Sequence, residues 1–312
     1  MCLQTTTATN TPDEMFAKAS AKIASKSDDR PLVSDLLKTH AKTIAVVREA
    51  IQEHKLYDPE RYDDIWILRF ILSHKKAKAA TEAAIKTMKH RAENKLNEMG
   101  DIRHKIYNHE LSADENKNAF DIHKKFNSYW LEGKYGVMHT LPDPDRGVVS
   151  IIMPGHIDIP GLNSGLTGEE LAYAYLMVDE AIFQIMDEIT RRTGRLTKTL
   201  RILDMDGLSV FNLDRDFVKR DGAAAKANQD FYPQLLGSVL VVNAPSWLYT
   251  TWSVLRNFFP KRVVSKFGFV APQKSKRDVK RFEQYWALEE LPKRYGGNSP
   301  FWPPPYAGAR FE

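Results

Sequence analysis

The sequence predicts an α/β fold in which a mixed, mostly parallel β-sheet is flanked by helices. Three apolar runs, Thr199–Asp204, Val239–Val242 and Val263–Val270, are short, as buried strands are. Helical segments fill both intervals between these runs. Parallel neighbours need a crossover connection, so strands that alternate with helices indicate a sheet that is mostly parallel.

Three helices are predicted ahead of the sheet. The first is expected over residues 32–54, where apolar side chains recur on one face. The second is expected to begin at Asp58, because aspartate accepts hydrogen bonds from the N–H groups of a helix start and Pro59 suits the first turn. The third, rich in alanine and lysine, is expected over residues 77–96.

The middle of the chain is predicted to add two strands and the longest helix. The strands are expected at Asn127–His139 and Val148–Met153, joined by a turn rich in proline and aspartate. The helix is expected to begin at Thr167, which can form a capping box with Glu170, and to stop at Gly194.

These elements predict two domains between two tails. Residues 1–30 contain few large apolar side chains and are expected to be disordered. An all-helical domain is expected over 31–110 and the sheet domain over 111–298, with a last helix at Arg281–Leu291. A proline-rich tail is expected over 299–312.

Composition is that of an ordinary globular protein, with 43% hydrophobic and 27% charged residues. No run is long enough to span a bilayer, and the beginning of the chain does not have the pattern of a secretory signal. The single cysteine, Cys2, fits a reducing compartment and predicts a cytoplasmic protein. The 45 basic and 40 acidic residues are spread along the chain, which argues against nucleic-acid binding and only slightly favours an anionic membrane surface.

Motifs for catalysis are missing from the sequence. There is no Gly-x-Ser-x-Gly elbow, no phosphate-binding Gly-x-x-x-x-Gly-Lys loop and no dinucleotide fingerprint. The carboxylates of Asp204 and Asp206 are explained by a tight turn, and the histidines between residues 100 and 126 lack the spacing of zinc ligands. We therefore expect a protein that is not an enzyme and that holds no metal or cofactor.

Several short motifs occur in one characteristic order: Leu68-Arg69-Phe70, Ile202–Ser209, Asp230–Pro233, Val242–Pro245, Trp252, Ser265-Lys266 and Leu291–Gly297. Their order and spacing resemble the CRAL-TRIO family, of the type represented by phosphatidylinositol–phosphatidylcholine transfer proteins. The resemblance covers most of the chain, roughly from residue 32 to residue 297.

The resemblance implies a helical N-terminal cap and a sheet that encloses an apolar lipid cavity behind a helical gate. It implies a monomer that binds a phospholipid or a similar hydrophobic ligand and contacts membranes transiently, as a peripheral protein. Exchange would proceed by docking, gate opening and closure. Two alternatives stay open: a lipid-responsive interaction protein that transfers nothing, and a carrier of an isoprenoid, retinoid or tocopherol-like ligand.

The gate is expected in the segment after Asn243-Ala244-Pro245, where apolar side chains lie on more than one helix face. Periodicity alone would also allow a core helix packed between two layers. The resemblance favours the gate, whose expected residues are Trp247, Leu248, Trp252, Leu255, Phe258 and Phe259.

The resemblance also implies headgroup contacts from Lys266, with Ser265 beside it. Val263 and Gln234 stand where phosphatidylinositol-binding members place a threonine and a glutamate, so we expect inositide selectivity to be weak. The role of Arg69 stays open between a lipid contact and a structural role, as an ion pair between the domains or as a surface charge.

Thr199 and Arg201 are two residues apart on a strand and should project from the same face. Members that bind phosphatidylcholine carry hydroxyl residues at both positions. An unpaired guanidinium in an apolar cavity would be costly, so Arg201 needs a partner, either a protein carboxylate or a lipid phosphate. We expect the phosphate, because no acidic residue lies nearby on that strand face.

Overall fold

A computed structural model provides the coordinates, and the part of the chain it describes comprises residues 28–107, 117–129, 136–141, 143–210, 214–256, 261–271 and 276–300. Almost all of the two predicted tails, and the gate residues Phe258 and Phe259, lie outside these ranges. Within the described residues, no helix combines the length and the apolar character needed to cross a membrane.

The described elements alternate between helices and strands. The helices are α1 Val33–Gln52, α2 Asp64–His74, α3 Ala77–Glu93, α4 Arg103–Tyr107, α5 Lys117–Tyr129, α6 Ile159–Gly165, α7 Gly168–Thr193, α8 Arg215–Gln229, α9 Ser246–Leu255, α10 Lys261–Val264 and α11 Lys276–Val279. The strands are β1 Gly136–Thr140, β2 Val148–Ile152, β3 Thr199–Asp204, β4 Leu236–Val242 and β5 Phe267–Val270. Turns of 3-10 helix lie at Pro144–Arg146, Pro154–His156 and Lys293–Tyr295.

The strands form one sheet in the order β1-β2-β3-β4-β5. β1 pairs with β2 in the antiparallel sense, and every other neighbouring pair is parallel. Ser150, Arg201, Val239 and Phe267 therefore lie side by side across four strands. The predicted mixed, mostly parallel sheet is confirmed.

The helices α1, α2 and α3 share a core that includes Leu68, Phe70 and Ile71. The second helix begins at Asp64, so the prediction that it starts at Asp58 was wrong. The side chain of Asp63 accepts a hydrogen bond from the Trp66 amide at 3.0 Å and caps the helix next to its apolar run.

The longest helix, α7, follows its predicted boundaries. The Thr167 hydroxyl accepts from the Glu170 amide at 3.1 Å, and the Glu170 carboxylate accepts from the Thr167 amide at 2.7 Å. Gly194 ends the helix in the left-handed conformation with φ of 65°, which glycine adopts without a steric penalty.

Two predicted boundaries on the central segment were wrong. The region predicted as a strand over Asn127–His139 is divided, because α5 continues to Tyr129 and β1 begins only at Gly136. Phe126 is buried at the end of α5, and Ile122 and Tyr129 pack in the same cluster. This helical spacing of apolar contacts, at three- and four-residue intervals, excludes a strand there.

Two C-terminal predictions also need correction. The strand predicted over Val263–Val270 is shorter, because α10 occupies Lys261–Val264 and β5 begins at Phe267. Lys266 therefore lies in the turn before β5 and not in the middle of the strand. The helix predicted over Arg281–Leu291 is a series of turns.

The two faces of the sheet pack differently. One face is covered by the turn-rich C-terminal segment in a continuous apolar core of Val149, Ile151, Leu200, Ile202, Leu240, Val242, Phe282, Trp286, Leu291 and Tyr295. On the opposite face Arg201, Leu203, Phe267 and Phe269 are only half-buried. The half-buried face is the one that α9 covers through ring contacts.

Candidate functional site

Basic side chains gather at the edge of the sheet where the parallel strands begin. Lys198 directly precedes β3, and Lys266 directly precedes β5. The Lys266 ammonium donates a hydrogen bond to the carbonyl of Leu236, the first residue of β4, at 2.7 Å. Since parallel strands start at the same edge of a sheet, the topology brings these two lysines together.

A bulge positions Lys198 against β4. The pairing of β3 with β4 changes register between Thr199 and Leu200, which leaves Gly237 as the extra residue of β4. A Cβ atom on Gly237 would lie 3.1 Å from the Cβ of Lys198 and 3.2 Å from the Thr199 carbonyl oxygen. Glycine thus permits the close approach of the two strands beside Lys198.

A third basic residue, Arg69 of α2, acts on Lys198. It is fully buried, and its Nη2 donates to Asp187 Oδ1 at 3.3 Å and to Thr190 Oγ1 at 3.2 Å. Its Nε and Nη1 have no hydrogen-bond partner among the described residues. Buried guanidinium groups are normally fully bonded, so the two open donors point to a missing acceptor.

The charges of Arg69 and Lys266 both act on Lys198. Burial, and then the charges of Lys266 and Arg69, lower the pKa of Lys198 to about 8. Burial also lowers the pKa of Arg69, against the pull of Asp187. We call Arg69, Lys198 and Lys266 the basic cluster. A group of cations in a partly dehydrated pocket is arranged to receive an anion.

A second set of polar residues lies around Arg201 on the half-buried sheet face. The Arg201 Nε is buried without a hydrogen-bond partner in the described ranges, and the charge of Arg201 acts on Asp179 of α7 and on Asp221 of α8. Burial raises the pKa of Asp179 to about 6, and Arg201 opposes the rise. The Tyr175 hydroxyl donates to the Asp221 carboxylate.

The α9 helix lies over this face without being enclosed. Trp252 packs on Phe267 at 4.8 Å between ring centroids, and Tyr249 packs on Phe269 at 5.1 Å. Trp247, Leu248 and Trp252 are half-buried, whereas Tyr249 is 42% exposed and Val254 56% exposed. No α9 side chain whose burial is described is fully buried, which does not fit a helix packed between two layers.

The carboxyl end of β3 is tied to two other motifs. The fully buried Asp204 carboxylate accepts hydrogen bonds from Asn243 Nδ2 at 2.8 Å and from the Tyr295 hydroxyl at 3.0 Å. It also pairs with Arg294 Nη2 at 2.6 Å. Asn243, which immediately precedes the approach to α9, adopts a left-handed φ of 52°. Asp204 is therefore committed to structure.

Asp206 lies 3.6 Å from Arg294 Nη2 and 3.4 Å from His156 Nε2. Among the described residues no cluster of three or more histidine, cysteine or acidic side chains comes together in a way that would hold a metal. A cleft of about 700 Å³ lies elsewhere, beside α7, where Arg91, Glu180 and Arg191 are among its mostly charged lining residues.

Residues 131–297 match the family model of the CRAL/TRIO domain. The chain belongs to the CRAL/TRIO family. The matched range holds the sheet, α9 and two members of the basic cluster, Lys198 and Lys266, whereas Arg69 lies before it.

Several named relatives share this CRAL/TRIO region. The chain is 28% identical to Protein real-time of Anopheles gambiae over 157 residues, 50% of this chain and 23% of that protein. It is 25% identical to Sec14 cytosolic factor of Schizosaccharomyces pombe over 268 residues, 83% of this chain and 82% of that protein. It is 27% identical to phosphatidylinositol transfer protein SFH5 of Kluyveromyces lactis over 145 residues, 41% of this chain and 45% of that protein. The chain spans between 20% and 24% of the length of the four real-time proteins it matches.

A solved structure has the same fold. The crystal structure of Sfh5 superposes with a TM-score of 0.52 at 15% sequence identity, covering 87% of this chain and 89% of that one. At this level of identity the likeness concerns the fold of the CRAL/TRIO domain with its N-terminal helices.

The structure places the predicted headgroup residues of this CRAL/TRIO domain in different settings. Lys266 and Arg69 both act on Lys198 in the basic cluster, and Ser265 is exposed in the turn beside Lys266. The Thr199 hydroxyl is buried and donates to the Val148 carbonyl at 3.1 Å, so it is engaged within the sheet. The expectation that Arg201 lacks an acidic neighbour considered only its own strand, and the helices supply two.

Sequence reasoning missed Lys198, Asp179 and Asp221. Lys198 had one usable signal, since it stands one residue before a strand of a parallel sheet, at the edge where Lys266 was also expected. Asp179 and Asp221 lie on helices, and the alternation of residues along a strand does not indicate which helix side chains face the sheet. The side chain of the gate residue Leu255 lies outside the described side chains.

Proposed function

We propose that this chain binds a membrane phospholipid and transfers it between membranes. The observation that carries the proposal is the fully buried Arg69, which has two open donors and whose charge, together with that of Lys266, acts on Lys198. A phosphate group would supply acceptors and negative charge at that point. The name of one relative, phosphatidylinositol transfer protein SFH5, agrees with a lipid-transfer role.

The acyl chains would lie on the half-buried sheet face beneath α9. Lys266 is followed directly by Phe267, so a headgroup at the basic cluster leads along β5 towards Phe267 and Phe269. Each methylene removed from water is worth ~0.8 kcal/mol, so an apolar surface of this kind is required for a lipid to leave the bilayer.

The α9 helix would act as the gate to this surface. Its half-buried aromatic side chains cover the sheet face, while Tyr249 and Val254 already point apolar surface towards solvent. Docking on a membrane would bury those exposed groups, and movement of α9 would open the face for exchange.

The remaining expectations belong to the same proposal. The bound lipid is a ligand and not a cofactor, and exchange requires no covalent step. The protein acts as a monomer in the cytoplasm and contacts membranes as a peripheral protein. The exchange proceeds by docking, opening of α9, replacement of the lipid and closure.

Native mass spectrometry and lipid extraction of protein purified from its own cells test the proposal. We expect one bound phospholipid per chain and transfer of that lipid between vesicles. Lys266→Met should slow transfer, whereas Lys219→Met, which removes an exposed lysine of α8, should not. Thermal unfolding of both variants separates a lipid defect from loss of the fold.

The other outcomes decide between the alternatives. A protein that binds lipid without transferring it would favour the lipid-responsive interaction protein. Extraction of an isoprenoid or tocopherol-like molecule would show that this molecule, and not a phospholipid, is the ligand. Protein that carries no lipid and transfers none would refute the proposal.

A further inference from the structure

We propose that the basic cluster selects a lipid whose headgroup ends in a phosphomonoester, and that Lys198 is the residue that specifies it. The inference rests on the proposed lipid-binding function and narrows its ligand class. It is carried by the number of cations that converge on the cluster, by the open donors of Arg69 and by the setting of Lys198.

The charge at the cluster exceeds what one phosphodiester can balance. Within the described ranges, Asp187 and Asp63 are the carboxylates that act on Arg69. Arg191 lies 2.6 Å from each of these two carboxylates. Their negative charge therefore balances Arg191 as well as Arg69. No carboxylate of the described residues is among the groups that act on Lys198, whose charged neighbours are Lys266 and Arg69.

A phosphomonoester has the complementary charge. A phosphodiester carries one negative charge, whereas a phosphomonoester carries about 1.5 to 2 at neutral pH and presents three strong acceptor oxygens. Each additional unit of negative charge is worth more in a partly dehydrated site than in water. The second negative charge of the phosphomonoester is the feature that Lys198, the third cation of the cluster, would recognise.

Lys198 is positioned to bind the second negative charge of the phosphate, and the described residues give it no structural hydrogen bond or ion pair. Its ammonium group forms no hydrogen bond or ion pair with a described residue, in contrast to Lys266, which is bonded to the Leu236 carbonyl. The β-bulge at Gly237 fixes the backbone beside it. Gln234 Nε2 donates to Ser73 Oγ at 3.0 Å, and both of these side chains are neutral.

Lipid extraction from matched vesicles tests the inference. Phosphatidylcholine vesicles would contain equal amounts of phosphatidate, a phosphomonoester, and phosphatidylglycerol, a phosphodiester. Native mass spectrometry then gives the ratio of the two lipids inside the protein, which does not depend on attraction to the vesicle surface. We expect the wild type to favour phosphatidate by about tenfold, the ratio that corresponds to ~1.4 kcal/mol.

Three variants locate the effect. Lys198→Met should bring the ratio close to one while phosphatidylglycerol is still extracted, and Lys198→Arg should keep the preference. The control Lys219→Met should behave like the wild type. A ratio close to one in the wild type, or an unchanged ratio in a folded Lys198→Met protein, would overturn the inference.

The source of the phosphate is decided separately. Inorganic phosphate is titrated into lipid-free protein by calorimetry. If it binds in a Lys198-dependent manner while the extracted lipids show no preference, the site takes free phosphate and the lipid assignment is wrong. Extraction without preference refutes only this inference, whereas failure to extract any lipid refutes the proposed function as well.

Discussion

Arg91 and Glu180 form a buried, two-point ion pair between α3 and α7. Arg91 Nη1 lies 2.7 Å from Glu180 Oε2, and Nη2 lies 2.9 Å from Oε1. The Tyr232 hydroxyl donates to the same carboxylate at 2.9 Å. Burial acts to raise the pKa of Glu180, but the charge and hydrogen bonds of Arg91, with the hydrogen bonds of Tyr232 and Gln184, hold the pKa below its usual range. The pair therefore joins the N-terminal helices to the sheet domain.

Removing one partner of this pair should be costly. Arg91→Met leaves a buried carboxylate without its counter-charge, and we expect the free energy of unfolding to fall by about 3–5 kcal/mol in denaturant titrations. The double variant Arg91→Met with Glu180→Leu should recover much of that loss.

An exposed ion pair provides the control for this prediction. Arg48 and Asp64 are about 40% exposed on both sides, so Arg48→Met should cost less than about 1 kcal/mol. Equal effects of Arg91→Met and Arg48→Met would show that the buried pair does not join the two parts of the molecule.

The setting of Arg201 leads to a prediction that reverses the sequence-based expectation. With Asp179 and Asp221 beside it, Arg201 has protein carboxylates available as its counter-charges. We expect Arg201→Leu to leave headgroup preference unchanged in a lipid-binding panel and to lower stability by about 3 kcal/mol or more.

The pH dependence of this variant follows from the same charges. Loss of Arg201 raises the folded-state pKa of both acids further above the unfolded value, so the folded state binds more protons than the unfolded state at intermediate pH. Stability is then lost as pH rises, and the defect of Arg201→Leu should be larger at pH 8 than at pH 5. A changed headgroup preference with an unaltered pH profile would restore the lipid phosphate as the partner.

Local signals in the sequence were sufficient where one segment determines its own structure. Thr167, Glu170 and Gly194 define the ends of α7 through contacts within a few residues of the chain. The turn chemistry of Asp204 and Asp206 was also recognised, although the partners Asn243, Arg294 and Tyr295 come from distant segments.

Local signals failed where tertiary contacts decide. Val263 and Val264 were assigned to the strand predicted over Val263–Val270, yet they belong to the helical turn Lys261–Val264, because the pairing with β4 begins only at Phe267. The action of Arg69 on Lys198 depends on a bulge and on how α2 packs against α7. Neither the bulge nor the packing of α2 can be predicted from the spacing of apolar residues in the sequence.

Glu290 provides a pH-dependent prediction outside the proposed site. It is 7% exposed, both carboxylate oxygens lack a hydrogen-bond partner among the described residues, and burial raises its pKa to about 7. The folded state therefore binds this proton more tightly than the unfolded state, so stability falls as pH rises from about 4.5 to 7.

Glu290→Gln should remove this part of the pH profile. We expect the variant to be more stable than the wild type by ~1–3 kcal/mol at pH 8 and similar at pH 4, as measured by urea unfolding. The neighbouring Glu289→Gln, at an exposed position, serves as control. Identical pH profiles for wild type and Glu290→Gln would contradict the assignment.

The exposed valine of α9 provides the sharpest test of the gate. Val254 is 56% exposed, so Val254→Glu should change the free energy of unfolding by less than about 0.5 kcal/mol. On an anionic vesicle the same carboxylate must enter the interface next to like charge, so we expect binding to weaken and transfer to slow. Val218→Glu, at a valine of α8 that is 48% exposed, introduces the same charge away from α9 and should have little effect on either.

A half-buried position on the same helix, Trp252, distinguishes a gate from a static core helix. Trp252→Glu removes ring contacts with Phe267 and Phe269 and places a charge on the sheet face. If α9 opens on membranes, this variant stays folded and loses vesicle binding together with Val254→Glu. If α9 is a fixed layer of the core, Trp252→Glu lowers stability by several kcal/mol and Val254→Glu transfers lipid at the wild-type rate. Vesicle co-sedimentation and thermal unfolding of the three glutamate variants distinguish these results.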